Sequence, residues 1–77
     1  MPVTLSWFKN IDPYNPNHPL SYIISSTIPI CEGSTKVCAI YAQVDLNNKP
    51  IINLSLSSEI SITLQNQVNS ENVLLRS

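Results

Sequence analysis

Cys31 and Cys38, the two cysteines of the chain, stand seven positions apart around the segment EGSTKV. Gly33, Ser34 and Thr35 are turn formers, and the VCAIYAQV that follows is dense in strand formers. An even cysteine count in a short chain supports a structural disulfide. Two buried thiols are the alternative. Metal or redox chemistry fits less well, because the spacing matches neither the C-x-x-C redox motif nor common zinc sites. If SYIISSTIPI runs antiparallel to VCAIYAQV, the sulfurs meet across the mouth of a hairpin spanning residues 20–45. Closing so short a loop stabilises a fold by about 2–3 kcal/mol. That is a large share for a single small domain of 77 residues, whose core is marginal without help. A bridge also implies an oxidising compartment, so the expected location is secreted, extracellular or at the cell surface.

Charge narrows the partners. Hydrophobic residues make up 43% of the chain and charged ones 12%, so the chain has too few charges and too much apolar surface for disorder. Lys9, Lys36, Lys49 and Arg76 are scattered, whereas phosphate neutralisation needs clustered cations; nucleic acid is not an expected partner. A formal charge of −1 leaves weak self-repulsion and favours association. No apolar run reaches the roughly 18 residues of a membrane span. The start MPVTLSWFKN lacks a basic region followed by an apolar stretch, so the secreted reading takes any leader as already removed.

Periodicity gives a mainly β fold, a small antiparallel sheet. Residues 3–9 alternate as a strand with apolar residues on both sides. Residues 10–19 hold three prolines and three asparagines, and read as an irregular loop. LSYIISSTI ends at Pro29, which suits a strand at a sheet edge. In VCAIYAQVD, Cys38, Ile40, Ala42 and Val44 are expected to face the core. LNNK is a turn, and residues 50–56 return as a strand. Residues 57–67 fit two templates. Ile52, Leu54, Leu56, Ile60, Ile62 and Leu64 alternate as in a strand, while Leu56, Ile60, Leu64 and Val68 recur every four residues as in a short helix. Ile, Ser and Thr are mediocre helix formers, which tips the reading towards strand. Residues 72–76 close the chain as a short strand.

No catalytic constellation emerges. His18, the one histidine, lies in NPNHPL among prolines, with no nucleophile motif elsewhere. Asp12, Glu32, Asp45, Glu59 and Glu71 are spread apart. DLNNK lacks the glycine and distal glutamate of a calcium loop, and one glycine cannot build a phosphate cradle. Neither a metal nor a cofactor is expected. Asn53-Leu54-Ser55 is a glycosylation sequon, poorly placed inside a strand. Trp7 and Phe8 are adjacent, so a strand sends one to the core and the other to a second surface, where it can meet a partner.

Several of these segments together carry a resemblance: WF at Trp7 and Phe8, CEGSTKVCAIYA from Cys31 to Ala42, KPII from Lys49 to Ile52, SEI from Ser58 to Ile60, and NVLL from Asn72 to Leu75. On these the chain resembles a group of small secreted cysteine-pair proteins of Bacteroidota. The resemblance implies secretion, a cysteine bridge and no assigned enzymatic activity, and it leaves a helix open in the SEI region.

The expected function is a non-catalytic structural or interaction protein, a self-associating subunit of an extracellular fibre or surface assembly, joined through strand edges to its own copies or to another protein. The alternative is a monomeric binding module or inhibitor presenting the loop 10–19, with Tyr14 and His18 as contacts.

Overall fold

The computed structural model describes residues 4–76. Val3, the expected start of the first strand, lies outside them. Five strands form one sheet: β1 (Leu5–Asn10), β2 (Tyr22–Ser25), β3 (Lys36–Val44), β4 (Pro50–Ile51) and β5 (Val73–Arg76). Helix α1 (Leu54–Asn66) lies between β4 and β5. Every pairing is antiparallel, in the order β2-β1-β3-β4, and β5 also pairs with β3. The fold is therefore mainly β, as the alternation indicated, and Cys31 and Cys38 form a disulfide.

The hairpin expected over residues 20–45 does not form. β2 and β3 flank β1 instead: Trp7 faces Ser25 on one side and Tyr41 on the other. Both neighbours run antiparallel to β1, so they run parallel to each other, and a parallel connection must cross over the strand between them. Residues 26–35 make that crossover. The disulfide thus fastens a crossing segment to β3 and closes no hairpin mouth. β2 does lie at the sheet edge.

Register sorts the side chains into two faces. Phe8, Tyr22, Ile40, Ala42, Val73 and Leu75 share one face and pack against Leu56 and Ile60 of α1. Burying this apolar area drives the fold. A β-bulge between Val37 and Ala39 changes the expected pattern. Val37 takes the core position at the end of β3, and Cys38 is left for the disulfide.

Residues 54–66 are helix, against the preference for strand. Asn53 supplies the reason locally: its side-chain oxygen accepts from the Leu56 N–H at 2.8 Å, and its carbonyl accepts from the Ser57 N–H at 2.9 Å. The helix begins three residues ahead of SSE, so the expected strand over 50–56 shrinks to Pro50–Ile51. Packing agrees, since the four-residue spacing buries Leu56 and Ile60 and leaves Leu54 and Ile62 exposed. Gln67 ends the helix in the left-handed region at φ 56°, its N–H donating to the Thr63 carbonyl. LNNK is the expected turn: one Asp45 carboxylate oxygen accepts from the Asn47 and Lys49 N–H groups, and Asn48 has φ 59°.

Candidate interaction surface

α1 covers one face of the sheet. The opposite face carries Leu5, Trp7 and Lys9 of β1, Ile23 of β2, Ala39 and Tyr41 of β3, and Ile51 of β4. The crossover lies against one end of it, where Lys9, Ser25, Thr27, Ile28, Pro29, Ile30 and Cys38 line a common cleft. Ala39 is fully buried at that end. The other end is open. There Trp7 and Tyr41 stand with ring centroids 5.2 Å apart and planes tilted by 51°, an arrangement aromatic pairs favour. Leu5 and Ile51, each more than two-fifths exposed, flank the pair. A helix packed on one face with an apolar second face left open is the pattern of a docking surface.

The Trp7–Phe8 pair divides as expected: Phe8 is fully buried in the core, and Trp7 sits half-buried on the open face. Tyr41, Leu5 and Ile51 were not singled out in the sequence. Leu5 shares a side with Trp7 by the alternation of β1, whereas Tyr41 and Ile51 join them only through the register of β3 and β4, which short-range alternation does not specify.

The open face is split where β4 stops at Ile51 and β5 begins at Val73. Here the Tyr41 N–H donates to the Asn72 carbonyl at 2.8 Å, and a cleft of about 210 Å3 runs from Leu5, Tyr41 and Ile51 to Glu59 and Asn72. Glu59 accepts from the Ser70 hydroxyl, the Asn72 N–H at 2.9 Å and the Asn72 side-chain amide at 3.1 Å. Burial works against its charge, but these hydrogen bonds outweigh burial and hold the carboxyl below its usual range. With both oxygens engaged, Glu59 is a clasp that ties α1 to the segment entering β5.

The loop 10–19 is irregular, as expected, but closely organised. Asp12 accepts from the Tyr14 N–H and, at 2.7 Å, from the Asn15 side-chain amide. His18 Nδ1 accepts from the Leu20 N–H at 3.1 Å, at the start of a 3-10 turn over Pro19–Ser21. The Tyr22 hydroxyl donates to the Pro16 carbonyl from within the core. These bonds hold Tyr14 out at 89% exposure. His18 is exposed and engaged in capping, and the fold brings it beside neither Trp7 nor Phe8. Among the described residues, no group of three or more His, Cys, Asp or Glu side chains is placed to hold a metal.

Both sheet edges are partly engaged. The Ile11 N–H donates to the Ser21 carbonyl, so alternation turns the backbone groups of Tyr22 and Ile24 outward. The Tyr22 N–H donates to the Pro19 carbonyl, and its carbonyl accepts from Lys49 Nζ at 2.8 Å. At the other edge, the Leu75 N–H donates to the Asn69 side chain, and the Val73 carbonyl accepts from the Ser70 N–H. Side chains and turns placed along an edge in this way oppose strand addition.

These features define a class: a small antiparallel sheet backed by one helix, crossed by a disulfide-fastened segment and left with an open aromatic patch. No protein-family model, curated protein or solved structure matches the chain. No helix of the described residues is long and apolar enough to cross a membrane.

Proposed function

We propose that this is a non-catalytic secreted interaction protein that associates with its own copies through the open sheet face centred on Trp7 and Tyr41. The observation that carries the reading is the aromatic pair itself, flanked by Leu5 and Ile51 on a face no helix covers. Aromatic anchors in an apolar surround are where association energy concentrates. The low net charge adds little repulsion between copies. The disulfide supports the secreted setting, because such bonds persist in oxidising compartments. The occupied edge groups favour the face over the strand edges as the contact.

Sedimentation velocity of the oxidised protein tests this. A dimer or larger assembly at tens of micromolar, lost in the Trp7→Ser/Tyr41→Ser variant with its circular dichroism unchanged, supports the proposal. A monomer throughout that range counts against it.

A second reading rests on Tyr14, held outward on a loop fixed by hydrogen bonds before any partner arrives. Such pre-organisation lowers the entropic cost of binding. In that reading the chain is a monomeric binding module, and Tyr14→Ala abolishes partner capture while leaving sedimentation unchanged.

A further inference from the structure

We propose that residues 26–34 are a strap over the sheet, released when the Cys31–Cys38 disulfide is reduced. The proposal stands independently of which partner uses the open face.

Four observations carry it. No backbone hydrogen bond joins residues 26–34 to the sheet among the described residues; the ladder resumes only where the Thr35 N–H donates to the Arg76 carbonyl at 2.9 Å. The strap's large apolar side chains are mostly exposed, Ile28 by 63% and Ile30 by 95%, so packing contributes little to holding it. Between strap and sheet lies a cleft of about 470 Å3, bounded by Lys9, Ser25 and Cys38. Beneath this end of the face Ala39 is fully buried, although no helix covers that side. The covalent bond is therefore the principal attachment of a loosely seated segment. Meanwhile β3 pairs with β1 on one side and with β4 and β5 on the other through backbone ladders in which the sulfurs take no part.

The chemistry is thiol–disulfide exchange with a dithiol as reductant. A thiolate of the dithiol attacks Cys31 Sγ, which lies in the half-buried strap residue, whereas Cys38 is only 5% exposed. The Cys31–Cys38 bond breaks, and Cys38 leaves as a thiolate that takes a proton from water. The second thiol of the dithiol then displaces Cys31 from the mixed disulfide. Two electrons have passed to the protein, which holds two thiols, and the dithiol has become a disulfide. The freed strap swings off and opens the cleft that it shares with Lys9, Ser25 and Cys38.

Limited proteolysis at isoleucine and amide exchange read the two halves of the proposal. Three samples suffice: oxidised protein, protein reduced with dithiothreitol, and the Cys31→Ser/Cys38→Ser variant. The expected result is cleavage at Ile28 or Ile30 about tenfold or more faster in the reduced and variant proteins, as for a locally opened segment. The amides of the β1–β3 ladder remain as protected as in the oxidised protein. Unchanged strap cleavage overturns the proposal, since packing then holds the strap. Loss of ladder protection together with the strap also overturns it, since the bond then holds the whole fold.

Discussion

The ammonium of Lys49 donates a hydrogen bond of 2.8 Å to the carbonyl oxygen of Tyr22, 27 residues away. Tyr22 opens β2 at one edge of the sheet, beside Asn10, and Lys49 leads into β4 at the other edge, beyond Val44. A flat sheet holds those corners far apart. Their contact shows that the sheet coils until diagonal corners meet, as right-handed twist favours. The same bond occupies an outward-facing carbonyl of the edge strand.

Lys49→Met keeps most of the stem and removes the donor. Hydrogen bonds from charged groups contribute about 1.5–3 kcal/mol, and this one is only partly buried, so a loss of about 1–2 kcal/mol is expected. Urea denaturation measures it. Freeing the Tyr22 carbonyl also unblocks β2, so the variant sediments with more self-association than the parent.

The Asn53 cap is testable on its own. Asn53→Ala removes the acceptor for the Leu56 N–H and is expected to cost about 1 kcal/mol, whereas Asn53→Asp retains it. In a domain of this size that difference moves the thermal midpoint by about 4–8 °C. Equal midpoints for the two variants would show that packing of Leu56 and Ile60 sets the helix by itself.

Glu59 gives the chain an acid-sensitive clasp. Its carboxyl is held below the usual glutamate range, so its contribution is present at neutral pH, above the unfolded-state value. It is lost as pH falls through the lowered folded-state value. Urea midpoints followed from pH 7 into that acid range decline for the parent and decline less for Glu59→Gln, which no longer titrates there.

Tyr22 supplies the alkaline counterpart. Burial pushes its hydroxyl up to about 12, offset in part by the neighbouring Asn10 amide. That amide is itself buried with neither polar atom at hydrogen-bonding geometry to a partner. With the folded value above the ordinary 10, the stability linked to this proton is full below pH 10 and is lost as pH rises towards about 12. Tyr22→Phe removes this loss along with the bond to the Pro16 carbonyl. Its urea midpoint is lower at pH 7, and the gap to the parent narrows as the pH is raised.

Removal of the disulfide has a bounded effect. Cys31→Ser/Cys38→Ser costs no more than the roughly 2–3 kcal/mol of closing so short a loop, and less if the strap is free in the folded state too. Chemical denaturation of the oxidised and variant proteins reads the difference.

Period-two alternation by itself determined that β1, β2 and β3 are strands, that Phe8 and Trp7 part to opposite faces, and that the chain is mainly β. Composition and spacing indicated the bond between Cys31 and Cys38. Those signals are local, arising within a few residues, where side-chain direction and turn chemistry act. Only the tertiary structure decided which strands pair. β2 joins β1, leaving residues 26–35 to cross the sheet, because ladders between distant segments are chosen by how apolar faces are buried together. Tertiary packing also settled residues 54–66, where strand and helix patterns overlapped: burial of Leu56 and Ile60 against β3 and β5, with the Asn53 cap, overrode modest helix propensity. The Trp7–Tyr41 patch belongs to the same category, because a surface assembled from three strands exists only once their register does.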